Sequence, residues 1–261
     1  MDLDLKGKRA IVCGSTRGIG KAIAIELALL GAAITLIARN EAGLQSTREE
    51  LPSAHGQRHE YLVADFNFPE KLKSVIQAYT EKNSAHILVN NTGGPPAGQA
   101  IDAEPEDFMS AFSAHLLCNH VLVQAVVAGM KKAGYGRVIN VISTSVKIPI
   151  PGLGVSNTIR GAVANWSKTL SVELAPFGIT VNNVLPGATL TDRLEDMLRV
   201  KAEKTGQSLG EVRAQMIHGI PAGRFSTSHE VAAAAAFLAS PAAGYINGIN
   251  LPVDGGRTGS L

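Results

Sequence analysis

Gly14-Ser15-Thr16-Arg17-Gly18-Ile19-Gly20 stands between a short apolar run, Ala10-Ile11-Val12, and a stretch of helical character, Lys21 to Leu30. Glycines in this position permit a tight turn and let backbone amides approach an anionic group. A helix N-terminus behind them adds unpaired N–H groups and the positive end of its dipole. A glycine trio alone is weak evidence, but its place between a first strand and a first helix predicts a phosphate cradle rather than a plain tight turn. Gly14, Thr16, Arg17, Gly18, Ile19 and Gly20 are its candidate residues.

The same alternation repeats outward from this stretch. Ile34 to Ile37, Tyr61-Leu62-Val63, Ile87-Leu88-Val89 and Val138 to Ile142 are short runs rich in β-branched and apolar residues, and Pro69 to Lys82 is long enough for a crossover helix. Runs that are apolar throughout imply a parallel sheet covered on both faces. A helical stretch from Gly161 to Leu174, a strand at Ile179 to Val184, a helix after Thr227 and a strand at Ile249 to Val253 complete the pattern. The expectation is an α/β fold: a single-domain, Rossmann-type doubly wound parallel sheet over residues 1–261. Thr227-Ser228-His229-Glu230 is a capping box that marks a helix start. Residues 192–223 are charged and poor in large apolar side chains, and read either as a mobile substrate flap or as a surface helical insertion.

Composition closes off other classes. The chain carries 24 Lys+Arg against 22 Asp+Glu, so no basic footprint argues for nucleic acid or an anionic membrane as partner. Cys13 and Cys118 match no zinc or CxxC spacing and suit a reducing compartment. The first residues lack the apolar centre of a signal peptide, and the longest apolar run, Val231 to Ala239, is too short for a bilayer. A soluble, cytoplasmic protein is expected, without a metal site, since only His55 and His59 approach ligand spacing. Gly154-Val155-Ser156-Asn157-Thr158 lacks the second glycine of a nucleophile elbow, which argues against a serine hydrolase.

The end of the second strand discriminates between dinucleotides, because an acidic side chain there bonds the ribose 2′-OH and repels a 2′-phosphate. Here that place holds Ala38-Arg39-Asn40. Arg39 and Arg17 offer two guanidinium groups to a phosphate, which favours NADP over NAD; the alternative is that they are solvated surface charges.

Gly14-x-x-x-Gly18-x-Gly20, Asn90-Asn91-Thr92-Gly93 after the fourth strand and Pro186-Gly187 after the sixth resemble the short-chain dehydrogenase/reductase family, and the resemblance covers essentially the whole chain. It looks most like the 3-oxoacyl-[acyl-carrier-protein] reductase branch. That resemblance implies Asp65 against the adenine and Asn90 beside the adenosine ribose, with Gly93 in the same cleft. Thr189 and Thr191, after Pro186-Gly187, are implied near the carboxamide and pyrophosphate. It also implies a small-molecule carbonyl or alcohol as substrate and a homotetramer packed through the helices around 107–130 and 157–174. Cys13 replaces the family's usual threonine, a change expected to affect turn packing.

Family members typically reduce a carbonyl with an Asn, Ser, Tyr, Lys tetrad, and three of those positions differ here. Ser143 is retained; the tyrosine position is Ser156, the lysine position Arg160 and the asparagine position His115. A phenol with a pKa of about 10 can be tuned toward neutrality, whereas an aliphatic hydroxyl cannot, so Ser156 does not simply replace tyrosine as general acid. Arg160 can still hold the nicotinamide ribose through its fork of donors. Two readings stand open. In one, the protein is an NADP(H)-dependent oxidoreductase in which Ser143 and Arg160 stabilise the developing alkoxide while His115, titrating in the useful range, passes a proton through water. In the other, it binds dinucleotide without turnover, as a sensor, partner subunit or pseudoenzyme. His115 also reads as a satisfied core or interface histidine, and Arg160 as the partner of a carboxylate or of an anionic substrate group standing where the tyrosine would have been. Lys147, in the loop from Lys147 to Gly152, borders the expected substrate space.

Overall fold

Ala10 and Val12 belong to one apolar cluster and Ile11 and Cys13 to another. Successive side chains of a strand point to opposite faces, so β1 (Arg9–Cys13) is buried from both sides. The computed structural model, which describes residues 1–260, sets β1 within a sheet with β2 (Ala33–Ala38), β3 (Glu60–Val63), β4 (Ile87–Asn90), β5 (Gly136–Val141), β6 (Ile179–Pro186) and β7 (Asn250–Val253). All neighbours pair in parallel, in the order β3-β2-β1-β4-β5-β6-β7. This is the expected α/β doubly wound fold. The strand order reverses between β1 and β4, and the crevice at the carboxyl ends there is where such sheets take ligands.

On one face, α1 (Gly18–Leu29) packs against α9 (Ser228–Ala239), with α2 (Glu41–Glu50) beside them. Alanines 22, 24 and 28 of α1 and 232, 235 and 236 of α9 are buried in that layer, and their small side chains let the helices approach closely. On the other face lie α3 (Pro69–Thr80), α5 (Cys118–Ala133) and α6 (Gly154–Leu174). Across four neighbouring strands Asn90, Asn140, Asn183 and Asn250 stand in register. Each amide donates to the next carbonyl oxygen, at 2.8 Å from Asn90 to Asn140, 3.0 Å to Asn183 and 2.7 Å to Asn250. The ladder ties β4 to β7 just below the crevice.

Two features depart from the sequence reading, and residues 192–223 take the helical form that it left open. The helix α6 starts at Gly154, not near Gly161, and therefore carries Ser156 and Arg160 in its first turns. Gly154 permits this: an added Cβ would stand 2.3 Å from the Ala100 nitrogen, and the Gly154 N–H reaches the Gly98 carbonyl at 2.9 Å. Residues 192–223 hold two helices, α7 (Asp192–Thr205) and α8 (Leu209–His218), around a small core of Leu194, Leu198, Val212, Ile220 and Phe225. Finally, α4 (Pro105–Phe112), a five-residue π turn (Ser113–Leu117) and α5 run on as one helical stretch. By length and composition Pro105–Ala133 could cross a membrane, although no uninterrupted apolar run marks it. Here it packs against α3, β5 and α6.

Candidate active site

Gly14 and Gly18 have φ of +57° and +55°, the left-handed region that glycine adopts without strain. The turn is also too tight for side chains: a Cβ on Gly20 would lie 2.2 Å from the Gly14 carbonyl oxygen, and one on Gly14 2.5 Å from that of Asn91. Asn91 locks it, donating to the carbonyls of Cys13 and Gly14 at 3.3 and 3.2 Å. Burial pushes the Cys13 thiol far up, so it stays protonated beneath the turn. No side chain caps the N-terminus of α1, whose first residues are Gly18, Ile19 and Gly20. Uncapped amides behind a glycine turn are a donor set that fits a dinucleotide pyrophosphate.

Around this cradle the expected cofactor residues take distinct stations. Arg39 follows β2, exposed and with no hydrogen bond or ion pair among the described residues. Arg17, equally exposed, points to Asp192 at the start of α7, 3.5 Å away. Thr16 lies against Gly43 in the first turn of α2, beside Asn40, which caps that helix. Asp65, after β3, accepts the Asn67 N–H at 2.9 Å, while Gly93 opens onto free space. Asn90 is 2% exposed; its amide serves the asparagine ladder and its Oδ1 is buried without a partner. Pro186 ends β6, and Gly187 continues its pairing with Val253 at 2.9 Å. Thr189 bonds Ser226 at 2.8 Å, and Thr191 caps α7 with its methyl against Gly18.

The four positions expected to carry the chemistry gather at the carboxyl ends of β4 and β5. Ser143 lies just beyond β5, and its Oγ accepts the Ser145 N–H at 3.1 Å. Arg160, on α6, is buried and reaches back to the Val141 carbonyl over 3.4 Å. Ser156 is buried one turn earlier on that helix. His115 sits in the π turn, with Nδ1 2.5 Å from the Thr92 hydroxyl. One expectation fails here. Burial, reinforced by the charges of Arg160 and Arg193, pushes the His115 pKa down to about 3, so the ring is neutral near pH 7 and does not titrate in the range a proton relay needs. Arg160 is pushed down to about 10 by burial and by Arg193, and stays charged.

Two members of this site escaped the sequence reading. Thr92 was seen only as part of a motif, yet its hydroxyl fixes the His115 ring. Arg193 lay inside the segment read as a flap. Its guanidinium donates to the carbonyls of Gly94 and Pro95 at 2.8 and 3.0 Å, which ties the start of α7 to the loop after β4. The neighbouring Asp192 reaches the opposite wall through Arg17. A charged residue at the entry to a helix that follows Pro-Gly is the only trace this strap leaves in the sequence.

Comparison with known proteins decides the family. A family profile described as enoyl-(acyl carrier protein) reductase matches residues 14–258. The 3-oxoacyl-[acyl-carrier-protein] reductase FabG of Vibrio cholerae is 34% identical over 97% of this chain and 98% of its own. The chain belongs to the short-chain dehydrogenase/reductase family. The NADPH-dependent reductase BacG of Bacillus subtilis is 30% identical over 97% of this chain and 99% of that protein. Among solved structures, an L-sorbose reductase from Gluconobacter frateurii, complexed with NADPH and L-sorbose, superposes with a TM-score of 0.93 at 29% identity over the full length of both chains. As a short-chain dehydrogenase/reductase, this chain is an oxidoreductase by family, and its crevice is the family's dinucleotide cleft.

Proposed function

We propose that the protein interconverts a small-molecule carbonyl and alcohol using NADP(H), in the manner of the 3-oxoacyl reductases it resembles, and without the family's tyrosine and lysine. The observation that carries the cofactor assignment is Arg39: a free, exposed guanidinium at the carboxyl end of β2, where an acidic residue would select NAD. Two relatives described as NADPH-dependent or NADPH-bound support it. The residues present fit the dinucleotide. Gly14, Thr16, Gly18, Ile19 and Gly20 would hold the pyrophosphate with Thr191, and Arg39 with Arg17 the 2′-phosphate, while Asp65, Gly93, Pro186, Gly187 and Thr189 line the rest of the cleft.

When bound, the reduced cofactor supplies a hydride to a carbonyl carbon. The chain's own part is to stabilise the oxygen on which charge develops. Ser143 offers a hydroxyl and Arg160 a permanent charge in a low-dielectric site, which is the larger share of what such a site must supply. Neutral His115, held by Thr92, orients rather than ionises, and the proton then comes from water. The neutral histidine and the missing phenol are also what favours the second reading, a dinucleotide-binding protein without turnover. Ser143→Ala and Arg160→Met, assayed for NADPH oxidation against a panel of ketones and 3-oxoacyl thioesters, separate the two. Losses of about a hundredfold or more in kcat are expected for a working site. No turnover by the unmodified protein with NADPH bound favours the silent binder.

A further inference from the structure

Three basic side chains converge on the substrate side of the cleft, and no carboxylate answers them. His115 comes from the π turn and is held by Thr92, Arg193 comes from α7 and is held by the carbonyls of Gly94 and Pro95 in the same loop after β4, and Arg160 comes from α6, which packs against the π turn. Among the described residues no ion pair reaches Arg160 or Arg193. Arg160 is 7% exposed, yet its bond to Val141 is long and the rest of its fork has no protein acceptor. Burying a guanidinium this way is unfavourable unless an anion completes it. Ser156 stands one turn away on the same side of α6, its hydroxyl engaged by no described residue. The cofactor's pyrophosphate would be held at the glycine turn, whose Arg17 reaches Asp192, whereas Arg193 is bonded to the loop after β4.

We infer that Arg160, Arg193 and Ser156 form a recognition site for an oxyanionic group of the substrate, a carboxylate or a phosphate, placed beside the carbonyl that reacts. Guanidinium forks match both groups through paired N–H donors, and a serine hydroxyl adds a third. The inference rests on the oxidoreductase reading and names its substrate class: oxo acids or phosphorylated ketones in place of neutral carbonyls.

The test offers NADPH-loaded protein two matched pairs, acetoacetate with its methyl ester and dihydroxyacetone phosphate with dihydroxyacetone. Turnover gives kcat/KM, and calorimetry of the same compounds on the NADP-loaded protein covers the case of slow chemistry. The site predicts that one anion exceeds its neutral partner by about a hundredfold, and which pair does so tells carboxylate from phosphate. Arg193→Gln reduces that ratio by about tenfold, mainly through KM, and Arg160→Lys, which keeps charge but loses the fork, reduces it by a similar factor in addition to a kcat loss shared by anion and neutral partner. Equal use of anion and neutral partner, or equal losses for both in the variants, overturns the inference. So does the absence of any anion binding when NADPH binds, and the cofactor reading then survives. Failure of NADPH itself to bind overturns that reading instead, and the same calorimetric pairs on the free protein still decide the anion site.

Discussion

His115 is the residue whose chemistry the sequence misjudged. A histidine in the family's asparagine position reads as a proton carrier because its ordinary pKa lies near neutrality. The π turn that aims it inward is local, but the two arginines that meet it there come from elements 45 and more residues further along the chain, so the neutralisation is invisible in any local window. The effect has a sign that can be measured. The folded-state pKa of about 3 lies below the ordinary 6.5, so between those values the unfolded chain binds the extra proton and stability falls as pH falls. Each pH unit in the steep part costs about 1.4 kcal/mol. His115→Asn, which cannot titrate, is expected to lose stability less steeply between about pH 6.5 and pH 4 in urea unfolding; parallel curves for both proteins contradict the assignment.

The central strands β1, β2 and β4 are short, nearly continuous apolar runs, and a run of that kind reports burial on both faces without help from the rest of the chain. That is why they were legible, as was the cradle, whose glycines sit at a fixed place between strand and helix. The start of α6 was not, because it depends on Gly154 meeting a loop more than fifty residues earlier. The asparagine ladder was equally hidden: each Asn looks like an interruption in an apolar run, and only the register turns four of them into a chain of bonds. Asn140→Leu removes its middle. Its two ladder neighbours and Ser167 then lose partners in a dry interior, for which a loss of about 2–4 kcal/mol is expected in chemical unfolding. A loss below about 0.5 kcal/mol would show that the ladder adds nothing to the sheet.

At the scale of the molecule, the helices expected to pack between subunits leave apolar side chains in solvent. Met109 and Val172 are 71% and 69% exposed, and Phe112 and Leu117 join them on the stretch leading into α5. Exposed apolar groups on neighbouring helices suit association, and we propose that they form the tetramer contacts the family resemblance implies. Light scattering after size exclusion is expected to give a four-chain mass, and Met109→Glu with Val172→Glu a smaller one. A single-chain mass for the unmodified protein removes this proposal and leaves the cleft untouched.

The cleft is the centre of the account, and its cofactor is the claim on which the rest depends. Calorimetric titration of the purified protein with NADPH, and with NADH in parallel, tests it in one measurement. Micromolar binding of NADPH is expected, with about a hundredfold weaker binding of NADH and loss of most of that difference in Arg39→Glu. Equal or tighter binding of NADH, or no binding of either dinucleotide, would contradict it.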